Sequence, residues 1–376
     1  MSVEARMQRV QAWLRDEGVP VAFVVDPANI CYLTGYWTIL SGIPGTETLL
    51  VVPASGTPFL AVPGLEVTLG QEQCPGLEVR YLRPAETQVG GRRRPAQTVG
   101  HLVTQALSSV PAAAPVGIDA SLMRADRHAV LMEHVRGHPV KDLTPWLATQ
   151  RASKDAVEQQ RTRASARIVV EAADAIARAL RPGVTEQALA SEAVRVIWAR
   201  GGTISHLVVA GGPRAALPHA LPTARPVGAG EFLVVDIGVF HEHYWAEIAR
   251  TYVAGTPTAE QSRLLALVGR AQMAARKALR AGVRACDVDE AARAVLRDAG
   301  FDDGVYIHST GHGLGIMGMD APAVAAHNTA PIPLNAALTI EPGLYFPGSG
   351  GIRIEDSFLV RESEGECLTE PSGRSS

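Results

Sequence analysis

Over the first 140 positions, short compact apolar runs alternate with segments whose apolar residues recur at helical spacing. VAFVV (21–25), TLLVVP (48–53) and TPFLAV (57–62) are rich in β-branched residues and bounded by turn formers, which predicts strands. The opening MSVEARMQRVQAWLRDEG and the stretches around 97–110 and 121–135 predict amphipathic helices. Such alternation predicts an α/β domain. Between these elements GGRRRPAQ (90–97), flanked by Gly and Pro, predicts a solvated loop. KDLTPW (141–146) reads as a linker, so a boundary falls within 145–153, with domains over 1–147 and 148–376. A long helical pattern then runs from near Lys154 to about Arg181.

The second part repeats itself. ALRPGVTEQALASEAVRVIWARG (179–201) aligns without gaps on ALRAGVRACDVDEAARAVLRDAG (278–300), and each copy ends a helix at a glycine. Downstream, LVVDIGVF (233–240) matches LTIEPGLY (338–345) position by position, with an acid interrupting an apolar strand two residues before a glycine. Two helix-plus-hairpin halves related by pseudo-symmetry follow, so this domain is predicted to be α+β. Asp236 and Glu341 are the equivalent acids of the two halves.

Those acids stand where a strand should bury Val and Ile. In VVDIGVFHEHYWAEIART (234–251) a second acid, Glu247, lies eleven positions after Asp236. If residues 240 and 243 close the hairpin, 236 falls opposite 247, and directly opposed residues share a face with Cβ atoms about 5 Å apart. In GGIRIEDSFLV, period-two alternation puts Arg353 and Glu355 on one face and Ile352 and Ile354 on the other. Two such acids 4 Å apart repel by about 1 kcal/mol in water and about 4 kcal/mol at an effective dielectric of 20. Four of them, on symmetric strands, stay ionised together only if cations neutralise them, which makes metal binding the expected role.

A nitrogen donor lies near in VYIHSTGHGLGIMG (305–318). His308 and His312 are four apart, but glycines at 311, 313 and 315 predict an extended, closely approached backbone and not a helix. The stretch lacks the Lys-Ser/Thr of a phosphate loop and any dinucleotide-binding context. Four carboxylates with one imidazole suit Mn²⁺, with Zn²⁺, Co²⁺ or Fe²⁺ as other fits, and the excess of acids implies two ions sharing bridging carboxylates.

Composition narrows the field without redirecting it. Formal charge is −3 and charged residues make up 19% of the chain, so no single-signed field favours nucleic acid or an anionic membrane. No apolar run reaches about 18 residues, and no signal-peptide core is present at the N-terminus. Cys31, Cys74, Cys286 and Cys367 form no CxxC pair, which predicts a reducing, cytoplasmic setting without a disulfide framework.

These motifs together resemble the pita-bread metallopeptidase family, in its prolidase, aminopeptidase P and creatinase branch. DPANICYLTG (26–35) resembles the creatinase/prolidase-type N-terminal domain of that branch, and RASKDAVEQQRTRA (151–164) its domain junction. LPHA, STGHGLG, TIEPGLY and RIED resemble its site segments. The resemblance implies that Asp236 binds one metal and His312 the other, with Glu247 also a ligand. Glu341 would ligate the second metal and transfer a proton, and Glu355 would bridge. His219 and His308 would contact substrate or the tetrahedral intermediate, and Arg353 would orient the site. The implied reaction is hydrolysis of the Xaa-Pro bond of a dipeptide or short peptide by a bridging hydroxide, in a homodimer whose partner closes the active site. Trp37 is a candidate for that partner contact or an anchor of its own domain.

Two positions depart from the family pattern. The second strand acid, usually aspartate in a phrase like SDITRT, is Glu247 in AEIART, and the position seven after His312, usually histidine, is Met319. His241 and His243 flank the hairpin turn as solvated residues or compensating ligands. Other readings remain open: another C–N hydrolase of creatinase or ectoine hydrolase type, or a binding protein that has lost catalysis.

Overall fold

The computed structural model describes residues 1–41, 43, 46–89, 92–120, 125–316 and 318–370. These fall into two compact units, Met1–Gln150 and Arg151–Ser376.

In the first unit helices α1 (Val3–Asp16), α2 (Pro27–Thr34), α3 (Val67–Gln73), α4 (Val99–Leu107), α5 (Ala125–His134) and α6 (Thr144–Ala152, which runs past the unit's end) accompany eight strands. The strands are β1 (Val21–Val24), β2 (Leu49–Pro53), β3 (Phe59–Pro63), β4 (Glu78–Leu82), β5 (Thr87–Val89), β6 (Arg92–Arg94), β7 (Val116–Ile118) and β8 (Val140–Asp142). Six of them form one mixed sheet in the order β4-β3-β2-β1-β7-β8. Two sequence expectations need correction. The arginines of GGRRRPAQ are not loop: β6 pairs antiparallel with β5, and backbone bonds between Arg83 and Gln97 continue the ribbon (Gly90 and Gly91 lie outside the described residues). KDLTPW is not a linker either. It ends β8 and starts α6, with Pro145 in the first turn and the Thr144 N–H donating to Asp142 Oδ1 at 2.9 Å. Of the helix expected over 121–135, positions 121–124 lie outside the described residues.

The second unit is the α+β domain expected from the repeat. Helices α7 (Ala156–Ala179) and α8 (Glu186–Ala199) precede β9 (Thr203–Gly211), β10 (Phe232–His241) and β11 (Tyr244–Val253). Helices α9 (Ala259–Ala278) and α10 (Ala285–Asp298) precede β12 (Gly311–Leu314), β13 (Met319–Val324), β14 (Ala337–Ile340), β15 (Gly343–Phe346), β16 (Gly350–Arg353), β17 (Asp356–Leu359) and β18 (Glu366–Cys367). The repeat shows in the backbone. Gly183 and Gly282, and then Gly201 and Gly300, all take left-handed φ of 74–87°. A capping box opens α7 (Asp155 with Glu158) and another opens α9 (Thr258 with Gln261).

Each helix pair covers one sheet face. Ile168, Val169 and Ile176 of α7 and Leu189 and Ile197 of α8 bury Val235, Ile237, Val239 and Ile248. Leu264, Leu267, Val288 and Leu296 do the same for Leu338, Ile340, Ile352 and Phe358. The opposite faces are left for the acids.

The halves are not identical. β10 runs unbroken through Asp236, but the equivalent strand breaks at Glu341–Pro342, so that β14 pairs with β17 and β15 with β16. Pro342 has no N–H for a ladder, and it stands where the first half has Ile237. The glycine-rich segment is extended, as expected. A Cβ on Gly311 would meet Thr339 O at 2.0 Å, and one on Gly313 would meet Asp320 O at 2.3 Å.

The start of α7 is tied to β13 by a buried charge cluster. Arg151 Nη2 donates to Asp320 Oδ1 at 2.7 Å and Lys154 Nζ to Oδ2 at 2.9 Å. Burial alone would raise the Asp320 carboxyl, but Lys154 and Arg151 outweigh it and hold it below its usual range. Asp320→Asn is therefore expected to cost about 3–5 kcal/mol in denaturant unfolding, because it leaves buried cations unmatched. Since the folded-state pKa is depressed, this contribution is complete above about pH 4 and is lost as pH falls further. The Asn variant should show a correspondingly weaker loss of stability below pH 4.

Candidate metal centre

Register decides which side chains meet. Glu242 and His243 take φ of 48° and 70°, the left-handed pair of a two-residue type I′ turn, so the hairpin closes at His241 and Tyr244. Asp236 therefore faces Ala249, and Glu247 faces Gly238. The expected pairing of 236 with 247 is displaced by two residues. Helix α7 sets this register: Ser165 Oγ donates to Tyr244 O at 2.7 Å and accepts from His241 N, while Tyr244 OH donates to Glu158. A shift of two leaves the faces unchanged, so Asp236 and Glu247 remain on one face as diagonal neighbours.

That face forms the wall of a cleft of about 780 Å³, lined by Asp236, Glu247, His312, Glu341, Arg353 and Glu355, with His219 and His308 also on its surface. Every residue expected at the site thus lies on this one cleft. The four acids are buried, with exposures of 5% for Asp236, 2% for Glu247, 9% for Glu341 and 1% for Glu355. β11 is drawn to the second half by two ties. Ser357 Oγ donates to Glu247 O at 2.7 Å, and Glu355 N donates to Ala249 O at 3.0 Å. Arg353 and Glu355 face the cleft while Ile352 and Ile354 join the core, although the strand itself breaks between them.

The electrostatics differ across the cluster. Burial would raise the Asp236 carboxyl, but Arg353 Nη2, 2.6 Å from Oδ2, together with His206 brings it to about 2. Burial, and then repulsion from neighbouring acids, pushes the Glu247 and Glu355 carboxyls well above the usual range. Such a cluster fits a divalent cation by its own donor set. Glu247, His312 and Glu355 offer ligand atoms all within 4.8 Å of one another. Glu247 Oε1 is buried 3.0 Å from His312 Nε2, yet it receives no hydrogen bond. His312 Nδ1 lies 3.3 Å from Gly313 O, and a ring proton on Nδ1 would turn the Nε2 lone pair toward Glu247. In that tautomer a shared cation would satisfy both atoms.

The histidines expected to touch substrate are placed differently. His219 is exposed at the mouth, on the segment that Arg353 holds through Pro218 O at 2.8 Å. His308 has both ring nitrogens engaged, Nδ1 with Ser309 O and Nε2 with Tyr345 OH, each at 2.8 Å. Burial lowers its pKa, which keeps the ring neutral. Arg293 of α10 donates to His308 O at 2.6 Å, and Asp289 accepts from Thr310 N at 3.0 Å, so α10 holds this segment. Met319 lies on the rim at 66% exposure, beside Leu221 and Ile307. Neither His241 nor His243 is among the described residues lining the cleft.

Two cleft residues escaped sequence reasoning. Trp245 stacks on His312 with ring centroids 5.3 Å apart. His206, on β9, lies 2.8 Å from Asp236 Oδ1. The available signal was ISHLVV (204–209), in which a histidine interrupts the strand that pairs with β10.

Fold and cleft together define a hydrolase class built on paired helix-and-hairpin halves around a metal-binding cluster. Residues 160–362 match metallopeptidase family M24, and residues 6–153 match the creatinase/prolidase N-terminal domain. The chain belongs to family M24. A probable dipeptidase PepE of Mycobacterium tuberculosis is 31% identical over 364 residues, covering 95% of this chain and 92% of that one. The structure of dipeptidase PepE from Mycobacterium ulcerans superposes with a TM-score of 0.83 at 30% identity, over 98% of this chain and 95% of its own. A recombinant prolidase from Thermococcus sibiricus reaches 0.87 at 25% identity, over 100% of this chain and 98% of its own. Family membership makes the protein a metallopeptidase that works with divalent metal ions on a peptide substrate. No helix among the described residues is long and apolar enough to cross a membrane.

Because Trp245 stacks on a candidate ligand, Co²⁺ added to chelator-treated protein is expected to quench part of the tryptophan emission. The quench should reverse with chelator and be largely absent in Trp245→Phe. Equal quenching in both proteins would place the ion elsewhere.

Proposed function

We propose that the protein is an Xaa-Pro dipeptidase that acts with two divalent ions held by Asp236, Glu247, His312, Glu341 and Glu355. The observation that carries this reading is the buried Glu247 Oε1, which faces His312 Nε2 at 3.0 Å without a hydrogen bond, inside a cluster of four acids. Asp236 would serve one ion, His312 and Glu341 the other, and Glu247 and Glu355 would reach toward both. When bound, such a pair supplies a water-derived nucleophile at neutral pH and polarises a carbonyl. Manganese suits the oxygen-rich set.

The chain's own residues do the rest. Glu341 stands 3.6 Å from His312 Nε2 and accepts weakly from Thr339 Oγ, which leaves carboxylate capacity to take up and pass on a proton. His219, exposed at the mouth, would donate to the developing oxyanion. His308 would do so only by exchanging its bond to Tyr345. Arg353 fixes Asp236 through one carboxylate oxygen and leaves the other directed toward His206. A proline substrate offers no N–H at the scissile amide and is recognised by ring shape, for which Leu221, Ile307 and Met319 provide an apolar rim. The relatives that match over nine-tenths or more of both chains and bear the name dipeptidase support the dipeptide over a longer peptide. A cytoplasmic homodimer belongs to the same reading, and sedimentation would test the dimer.

Metal content of protein purified without chelator should be about two ions per chain, with cleavage of Gly-Pro exceeding that of Ala-Pro-Ala in added Mn²⁺. His219→Ala is expected to lower kcat/KM by roughly 10²-fold with metal content unchanged. Preferred tripeptide cleavage would move the reading to an aminopeptidase P. Two ions without Xaa-Pro cleavage would indicate another C–N bond as substrate.

A further inference from the structure

We propose that His206 is itself a metal ligand, giving the Asp236–Glu247 side of the centre the imidazole that His312 gives the other side. This rests on the two-ion reading above. It arises from the order of three strands. His206 of β9, Gly238 of β10 and Glu247 of β11 lie in one row across the sheet, on the cleft face. The middle position has no side chain, and it cannot have one without displacement. A Cβ on Gly238 would lie 2.4 Å from His206 Cε1 and 2.7 Å from Trp245 Nε1. The imidazole therefore rests over the glycine and reaches the acids across it.

Its reach has two targets. His206 Nε2 stands 2.8 Å from Asp236 Oδ1 and 3.8 Å from Glu247 Oε2. Ligand atoms about 2.1 Å from one ion lie roughly 3.0–3.5 Å from each other at angles of 90–109°. These two separations bracket that range. Glu247 thus has an imidazole nitrogen toward each end, His312 at Oε1 and His206 at Oε2. Trp245 holds both rings. It stacks on His312 at an interplanar angle of 21° and meets His206 edge-on at 87°.

The glutamate that departs from the family pattern acquires a reason here. Its extra methylene carries the carboxylate out between two imidazoles, and the compensating role that the sequence offered to His241 or His243 falls to His206 instead. An all-oxygen subsite suits Mn²⁺, whereas an added imidazole moves preference toward Zn²⁺ and Co²⁺.

Calorimetric titration of the chelator-stripped full chain with Co²⁺, Zn²⁺ and Mn²⁺, checked by elemental analysis, tests this. The proteins compared are wild type, His206→Ala, His206→Gln and His312→Ala. Wild type should bind two ions. His206→Ala should retain one and bind the second roughly 10–100-fold more weakly, with a larger loss for Zn²⁺ than for Mn²⁺ and an altered Co²⁺ visible spectrum. His312→Ala should weaken the other ion. His206→Gln keeps an N–H for Asp236 but offers no imidazole, so restored affinity in that variant would overturn the ligand role and leave only a hydrogen bond to Asp236. Unchanged affinities and Zn²⁺ preference in His206→Ala would overturn it equally. Fewer than two ions on the wild type would overturn the two-ion reading, and this inference with it.

Discussion

Four carboxylates in one buried cleft are the constraint on which the rest of the catalytic unit depends. At the effective dielectric of a protein site, each close pair costs several kcal/mol unless it is neutralised. Among the described residues the fixed cation of the cleft is Arg353, and it is paired with Asp236. Among the described residues Glu247 and Glu355 have no comparable ion-pair partner, and burial with mutual repulsion drives their carboxyls upward. An arrangement so unfavourable in the bare protein is one that bound cations would neutralise. The stability that offsets it comes from the two helix-covered cores behind the strands.

The pseudo-symmetry explains how such a site is assembled from simple parts. Each half contributes a helix pair, a hairpin and an acid in the middle of a strand, so two repeats place acids on facing surfaces. Function then resides in the differences between the repeats. Pro342 breaks the second strand where Ile237 lets the first continue, and the chain after Glu341 passes to another sheet. Asp320, beneath the glycine-rich strand, is locked by Arg151 and Lys154, which sets the backbone path of β13 beside the cleft. Three glycines follow from that crowding, since a side chain at 311, 313 or 315 would collide with β14 or with Asp320.

Much of this was legible in the residues. Period-two alternation put Arg353 and Glu355 on the face opposite Ile352 and Ile354, and the repeat of LVVDIGVF in LTIEPGLY paired Asp236 with Glu341. The STGHGLG spacing announced a closely packed extended segment. What remained hidden were relations between segments far apart in sequence. Nothing local places His206 beside Glu247, because their meeting depends on β9 lying on the far side of β10 and on Gly238 being empty between them. Trp245 reads as an ordinary strand aromatic until His312 is found stacked on it.

The sequence by itself determined an α/β unit followed by an α+β one, the repeat, the faces of the strands and the residue types that would gather, because side-chain periodicity and turn chemistry are local properties. Only the tertiary structure decided the hairpin register, since Ser165 and Glu158 of α7 clamp Tyr244 and His241 from about 80 positions away. It also decided which nitrogen faces which oxygen. A strand carries its face in its own alternation, but its register and its neighbours are settled by packing against elements that its residues do not encode.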